Sequence, residues 1–334
     1  MSESTTSRIG VLLGSTTPPE DIARLSREVE QGGFGQLWIP EDYFFLGGIA
    51  AAGIALGATE RIPVGLSVVS SMVRHPALLA MEIATLSRAF PGRFLPGIGH
   101  GVPAWTAQMG LTVKSPMTAL RENLVHVRSL LAGEKVNHTG GIHDFNEVVL
   151  THPATETVPI YTGVLGDKGV ALTGELAEGL VVSALAPVEY VAATRAKLDT
   201  AAAGRDVRPE LVTLVAVNLT SDDSKADLVR QQLRPVLAFY IAATGPGPLF
   251  GAIEGANEKV ADMIARGGFE TVMAEMPDEW IDLFAIAGGP AHAKARIQSY
   301  LDAGSDKVVI ATVVPEGTES SLAAARELLA DFPQ

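Results

Sequence analysis

The sequence has no cysteine among its 334 residues, and this absence removes several kinds of chemistry together. Disulfides, thiolate nucleophiles, iron–sulfur clusters and cysteine-ligated zinc all need Cys side chains. The polar first ten residues, MSESTTSRIG, also lack the apolar stretch of a secretory signal. Both features are typical of a protein in a reducing compartment, so we expect a cytoplasmic location.

Clusters of basic residues and long apolar runs are missing as well. The chain has 38 acidic against 25 basic residues, a formal net charge of −13. This balance argues against nucleic acid or an anionic membrane surface as a partner. Apolar runs end at glycine or charged residues before the roughly 18 residues of a membrane span. We therefore expect a small-molecule substrate as the partner.

Several catalytic motifs are absent too. No GxxxxGK[ST], HExxH or GxSxG occurs, which leaves P-loop, zincin and serine-hydrolase chemistry without support. His138, His143 and His152 lie near one another, but we expect an exposed segment without ligand partners at helical spacing. The sequence therefore predicts no metal site.

The chain does have a regular alternation of strand-like and helix-like segments. Its hydrophobic content of 47% is enough for one large core. The strand candidates are residues 9–14, 36–41, 63–69, 94–100, 159–164, 179–184, 211–220 and 307–314. Their near-continuous apolar character is typical of a parallel sheet covered on both faces. Eight such units predict a single (β/α)8 TIM barrel over residues 1–334.

Helix starts punctuate this pattern. Ser115-Pro116 supplies a cap and a first-turn proline, and Arg74-His75-Pro76 marks another helix start at which His75 is a cap or packing residue.

Two segments do not fit a bare barrel. Residues 133–158 are a candidate hairpin or interface element, and residues 244–290 are a candidate substrate lid, unless both are loops that serve only packing.

The fourth strand ends in GIGHG, with Gly97, Gly99 and Gly101 at alternate positions. A flat ligand could approach a strand closely where side chains are missing. His100 lies at the carboxyl end of this strand, where barrel enzymes build their sites. It could donate to a ligand or protonate a substrate, or it could be a hydrogen-bonded structural histidine.

Two carboxyl groups end the second strand in LWIPEDYFF. Glu41 and Asp42 lie beside the aromatic residues Trp38, Tyr43 and Phe44. Partial removal from water favours the protonated form of a carboxyl group, as a proton donor requires. The alternative is a salt bridge or a helix cap at the end of the strand.

The fifth strand–helix junction, YTGVLGDKG, has backbone N–H groups at Leu165 and Gly166 near a helix start. Such groups can bind one phosphate, and Ser183 on the next strand could add a hydroxyl. An ordinary strand–helix turn would have a similar sequence, so these residues alone do not establish a phosphate site.

Taken together, these residues resemble the luciferase-like monooxygenase superfamily and, within it, the deazaflavin-dependent reductases and dehydrogenases. The most specific stretch is VGLSVVSSMVRHPALLAMEIATLSRAFPGRFLPGIGHG at residues 64–101. The blocks GELAEGLVVS at 174–183 and FAIAGGPAHAKARIQSYLDAGSDKVVI at 284–310 add to the likeness.

The resemblance implies a (β/α)8 barrel with an insertion before the last strand, often dimeric, which binds FMN or coenzyme F420 at the strand ends. By position, it implies a non-prolyl cis peptide at Ser67-Val68 that supports the ring of the cofactor. It also assigns the ring and phosphate contacts to His100, Gly101, Leu165, Gly166 and Ser183.

Two positions depart from this family. Relatives often have His where this chain has Asp42, and the sugar-phosphate dehydrogenases have Glu where it has Val102. The sequence therefore predicts F420-dependent hydride transfer with an unsaturated or carbonyl substrate, and Asp42, Glu41 or His100 as proton donor. An FMN-dependent monooxygenase and a non-catalytic flavin-binding protein are the alternatives.

Overall fold

The computed structural model describes residues 7–332, so the polar residues 1–6 that were predicted to precede the first strand lie outside the described part. The strands are β1 Ile9–Leu12, β2 Leu37–Ile39, β3 Val64–Leu66, β4 Val69–Ser70, β5 Phe94–Leu95, β6 Gly97–Gly99, β7 Val136–His138, β8 Phe145–Val148, β9 Tyr161–Gly163, β10 Gly179–Val182, β11 Glu210–Leu219, β12 Ala285–Gly288 and β13 Lys307–Thr312. The α-helices are α1 Ile22–Gln31, α2 Gly48–Ala58, α3 Pro76–Ala89, α4 Pro103–Gln108, α5 Pro116–Leu131, α6 Asp167–Leu176, α7 Val188–Ala201, α8 Ala226–Thr244, α9 Ala256–Glu275, α10 Glu279–Phe284, α11 Pro290–Asp302 and α12 Thr318–Leu328.

The main sheet closes on itself as a barrel. The barrel has eight strand positions, which we call staves. The short strands β3 and β4 together form one stave, and β5 and β6 form another, because each pair continues in one direction across a short break. Parallel pairing then runs β1, β2, β3/β4, β5/β6, β9, β10, β11, β13 and back to β1. All eight predicted strand segments contribute a stave, so the predicted (β/α)8 barrel is confirmed.

Side chains fill the barrel interior and exclude a pore. Val309 and Ala311 of β13 point into an inner cluster, whereas Val308 and Ile310 pack against the helices outside. Trp38 and Tyr161 meet edge to face inside, with ring centroids 5.5 Å apart. These two layers are the expected result of strands that are apolar on both faces.

The helices begin where the sequence places their caps. The Ser115 hydroxyl accepts a hydrogen bond from the Thr118 backbone at the start of α5, and the His75 ring accepts one from Ala77 at the start of α3. Each side chain satisfies a backbone N–H group that the helix leaves free. No helix within residues 7–332 is long and apolar enough to cross a membrane.

The segment before the last helix–strand unit is mostly helical. The helices α9 and α10 fall within residues 244–290, and α9 bends at Gly267–Gly268, where Gly268 has a φ of 59°. The sequence did not predict β12, which pairs in parallel with the carboxyl-terminal part of β11. The role of this segment as a substrate lid stays a prediction.

Residues 133–158 contain the antiparallel hairpin of β7 and β8, and four histidines pack around it. The rings of His75 and His143 lie 5.0 Å apart between centroids, and those of His126 and His138 lie 4.7 Å apart. His75 and His126 both contact the Phe145 ring. We call these five residues the histidine cluster.

The segment that contains His138 and His143 is mostly exposed, as predicted, but the two histidines themselves are half-buried. The Nε2 atoms of both rings are buried, because the hairpin folds back onto α5 and onto the start of α3. His152 is exposed and is not part of the cluster. Within residues 7–332, no three or more side chains of the metal-ligating kinds are grouped so that they could hold a metal ion.

The histidine cluster predicts a loss of stability in mild acid. Burial lowers the pKa of His126 and His143, the neighbouring histidines lower it further, and Glu122 opposes this shift. Unfolded histidine gains a proton as the pH falls below about 6.5, whereas His126 and His143 in the folded protein resist protonation. The unfolded state then binds more protons, so the free energy of unfolding decreases from about pH 6.5 downwards until the folded pKa values are passed.

Urea unfolding between pH 8 and pH 5 measures this effect. His126→Gln and His143→Gln should each flatten the decline in unfolding free energy below pH 6.5. His152→Gln, a histidine outside the cluster, should leave the decline as it is. Equal slopes for all three variants would show that the cluster does not cause acid sensitivity.

Candidate functional site

Every residue that the sequence predicts for the site lies at the carboxyl ends of five neighbouring staves. Glu41 and Asp42 follow β2, Ser67 and Val68 lie between β3 and β4, His100 and Gly101 follow β6, Leu165 and Gly166 follow β9, and Ser183 follows β10. Parallel strands end on the same side, so these residues share one rim of the barrel. We call it the site rim.

The third stave is interrupted as the resemblance implied. The Ser67-Val68 peptide bond is cis, which confirms that prediction. A second cis peptide, Tyr43-Phe44, follows the two carboxyl groups of β2 and was not predicted.

Glycines of the fourth and fifth staves make room for Val68. The approach of a flat ligand to Gly97 and Gly99 stays a prediction. A Cβ atom at Gly99 would lie 2.5 Å from Cγ2 of Val68, and one at Gly163 would lie 2.7 Å from Cγ1. At Gly97 the backbone oxygen of Leu66 is only 2.1 Å from such an atom. The missing side chains therefore make room for the residue between β3 and β4.

The ends of the third and fourth staves are tied together beside this contact. The Ser70 hydroxyl donates a hydrogen bond of 2.8 Å to the carbonyl oxygen of His100. Gly101 follows with a φ of 72°, a backbone conformation that favours glycine. The His100 backbone is thus held in place at the site rim.

The His100 side chain presents a buried polar atom at the site rim. Its Nε2 atom is buried and has no hydrogen-bond partner in the described part of the chain, and the same holds for Oγ of Ser67 on the neighbouring stave. Burial lowers the pKa of His100, so its ring is neutral at neutral pH. Buried polar atoms nearly always have partners, and a polar cofactor would supply them here.

Glu41 is engaged in an ion pair. Both of its carboxylate oxygens accept hydrogen bonds from the Arg74 guanidinium, and Oε2 also accepts the backbone N–H of Gly48 at 3.0 Å. The Glu41 side chain is only 3% exposed. This carboxylate therefore joins the second stave to the start of α2 and to the segment before α3.

Asp42 has neutral partners instead. Ser15 Oγ, three residues beyond β1, donates a hydrogen bond to Oδ2 of Asp42, and the Tyr240 hydroxyl from α8 lies near enough to the carboxyl group to affect its pKa. Burial raises the pKa of Asp42, and the two hydroxyls oppose that shift in part. The carboxyl group therefore keeps its proton to a higher pH than an exposed aspartate does.

Sequence reasoning missed Ser15, Tyr240 and the role of Arg74. Ser15 could have been found, because it follows a strand at the rim where active-site residues of barrels lie. Tyr240 gave no signal, since it lies inside a helix of ordinary amphipathic pattern. Arg74 was noted only as part of a helix start.

The phosphate candidates lie at the start of α6. Gly166 caps this helix in an extended conformation, and a Cβ atom there would meet nothing within 4 Å, so the approach to the helix start is open. The Leu165 carbonyl accepts a hydrogen bond from the Tyr190 hydroxyl, which anchors the turn. Ser183 ends the adjacent stave and is half-buried.

Comparison with known proteins agrees with this geometry. The family model described as luciferase-like monooxygenase matches residues 2–307. The 5,10-methylenetetrahydromethanopterin reductase of Methanolobus tindarius is 30% identical over 317 residues, which are 94% of this chain and 96% of that protein. The F420-dependent glucose-6-phosphate dehydrogenase of Nakamurella multipartita is 26% identical, over 86% of this chain and 84% of its own.

A solved structure supports the fold over nearly the whole chain. The coenzyme F420-dependent tetrahydromethanopterin reductase from Methanopyrus kandleri superimposes with a TM-score of 0.81 at 24% identity, covering 98% of this chain and 99% of that one. The barrel, the Ser67-Val68 peptide at its rim and the match over residues 2–307 lead to one conclusion: this chain belongs to the luciferase-like monooxygenase family.

Proposed function

We propose that this chain is an oxidoreductase that uses coenzyme F420 to transfer a hydride to or from a small organic substrate at the site rim. The observation that carries the proposal is the position of Asp42, a carboxyl group with a raised pKa, on the same rim as the partnerless polar atoms of Ser67 and His100. Relatives named as F420-dependent enzymes support the choice of cofactor.

The residues at the rim fit such a cofactor. Ser67, Val68, His100 and Gly101 would hold its ring, since they offer two free polar atoms beside a backbone segment packed on glycines. Leu165, Gly166 and Ser183 would hold the phosphate at the start of α6. Bound F420 supplies or accepts the hydride at its deazaflavin ring.

The protein's own task is then to orient the substrate and to move a proton. Asp42 is the proposed proton donor, because its carboxyl group is protonated over a wider pH range and faces only hydroxyl groups. Glu41 is also at the rim, but its oxygens accept bonds from Arg74 and Gly48, which suits a role in holding the strand end. The neutral His100 ring is better suited to donate a hydrogen bond than a proton.

One departure of the sequence from the family narrows the class of substrate. Val102, where sugar-phosphate dehydrogenases have Glu, is the residue before α4 and offers no proton-transferring group. The proposed substrate is therefore an unsaturated or carbonyl compound other than a sugar phosphate.

Titration of the apoprotein with cofactors tests the proposal. We expect F420 to bind at least tenfold more tightly than FMN in a fluorescence titration. His100→Ala should weaken F420 binding by roughly fivefold, the loss of one buried hydrogen bond of about 1 kcal/mol. His152→Ala should bind like the parent protein. Preference for FMN would favour the flavin monooxygenase, and F420 binding without reduction by any candidate substrate would favour a non-catalytic binding protein.

We also propose that the protein acts as a cytoplasmic homodimer through α2 and α3. These neighbouring helices expose apolar side chains, with Ile54, Leu78 and Met81 exposed by 43%, 55% and 51%. Charge introduced into a dimer interface is costly, so Met81→Lys should weaken association at least tenfold in analytical ultracentrifugation. Leu228→Lys, at an equally exposed leucine of α8, is the control. A monomeric parent protein would contradict the proposal.

A further inference from the structure

Two hydroxyl groups from distant parts of the chain meet at the proposed proton donor. Ser15 comes from the segment after β1 and donates to Oδ2 of Asp42. Tyr240 comes from α8, and its hydroxyl group lies near enough to Asp42 and Ser15 for both to affect the pKa of the phenol. Three side chains from three elements therefore form one connected group at the site rim.

The orientation of α8 fixes the position of the tyrosine. Leu233, Leu237 and Ile241 recur at helical spacing and are fully buried, so the helix cannot rotate without exposing them. Tyr240 precedes the last of these residues and is half-buried. The packing of the whole helix thus keeps its hydroxyl group near Asp42.

Tyr240 is not suited to give up a proton itself. Burial and the nearby Asp42 carboxylate raise its pKa to about 12, so the phenol is neutral at any ordinary working pH. A neutral phenol donates a hydrogen bond and stabilises the ionised form of the carboxyl group that it contacts. Ser15 acts in the same direction, and no charged side chain in residues 7–332 adds a shift to Asp42.

We propose that Ser15 and Tyr240 are positioning residues that hold the Asp42 carboxyl group toward the site rim and tune its release of a proton. This inference rests on the proposed function, in which Asp42 is the donor. Helix α8 thereby contributes a side chain that acts on Asp42, the carboxyl group that follows β2. The two hydroxyls belong to the site, although neither touches the reacting atoms.

The test measures the protonation of Asp42 directly in the apoprotein. Aspartate labelled with ¹³C at the carboxyl carbon is followed by NMR from pH 3 to pH 9, and Asp42→Asn identifies the signal. Ser15→Ala and Tyr240→Phe each remove one donor to the carboxylate. Each should raise the titration midpoint of Asp42 on the order of one pH unit.

Phe239→Leu is the matched control, since this ring packs beside Tyr240 on the same helix and carries no group that could form a hydrogen bond with Asp42. It should leave the midpoint in place. An unchanged or lowered midpoint in both hydroxyl variants would overturn the inference, as would an equal rise in Phe239→Leu.

Turnover with F420 separates this inference from the proposed function. In the hydroxyl variants, the pH at which kcat declines should rise together with the NMR midpoint, because the donor works only in its protonated form. A raised midpoint in a protein without F420-dependent turnover would retain the positioning role and defeat the proposed function. Turnover with a normal pH profile and a normal midpoint in both variants would defeat the positioning role alone.

Discussion

Asp42→Asn should reduce kcat roughly 10²- to 10⁴-fold at saturating F420, the usual cost of losing one positioned proton donor. The amide has nearly the same shape as the carboxyl group and still accepts hydrogen bonds from Ser15 and Tyr240, so the site rim should keep its structure. What it cannot do is transfer a proton. Single-turnover oxidation or reduction of F420 under substrate saturation measures the effect.

The same carboxyl group also determines how the turnover rate of the parent protein should change with pH. Burial raises the pKa of Asp42, so the proton needed for turnover is present at low pH and lost as the pH rises through that value. The parent rate should fall on the alkaline side, and the residual rate of Asp42→Asn should lose this dependence. Asp262→Asn, an exposed aspartate on α9, should retain both rate and profile. A variant Asp42→Asn with weakened F420 binding but an unchanged kcat would make Asp42 a binding group.

Arg74→Met should lower the free energy of unfolding by about 3 kcal/mol or more, the typical cost of leaving a buried charge without its partner. Glu41 has a side chain exposed by 3%, and Arg74 one exposed by 23%. Without the guanidinium, the Glu41 carboxylate keeps only the Gly48 backbone as a hydrogen-bond donor. Urea unfolding monitored by circular dichroism measures the difference.

An exposed ion pair supplies the control. Arg121 makes the same two-pronged contact with Glu175, but both side chains are about half exposed, and Arg121→Met should therefore cost about 1 kcal/mol or less. The double variant Glu41→Gln with Arg74→Met should regain part of the lost stability, since the buried position 41 then carries no charge and only the partly exposed Glu82 has lost an ion-pair partner. If Arg74→Met and Arg121→Met lowered the free energy of unfolding by the same small amount, the buried Glu41 carboxylate would not need Arg74 as its partner.

Much of the architecture could be predicted because it depends on short-range patterns. Continuous apolar runs of about six residues separated by capped helices allow few arrangements other than a parallel barrel. The Ser115 cap and the His75 cap acted as their sequence positions indicated. The rim residues Asp42, His100 and Gly166 followed from that architecture, because a parallel barrel brings the ends of its strands together.

Contacts between distant segments could not be predicted in this way. The partner of Glu41 is 33 residues away and the aromatic partner of Asp42 lies on α8, nearly 200 residues away. The packing of Val68 against the glycines of the fourth strand was not predicted either. The contacts of His75 and His126 with the Phe145 ring also join segments that are distant in the sequence.

The order of strands and helices, the rim on which the site lies and the family resemblance were thus determined by the amino-acid sequence, since periodicity and capping act over a few residues. The tertiary structure decided which of two adjacent carboxyl groups is paired with an arginine and which has its pKa raised by burial. Burial and the identity of the neighbouring groups set a pKa, and both arise only when the chain has closed into a barrel.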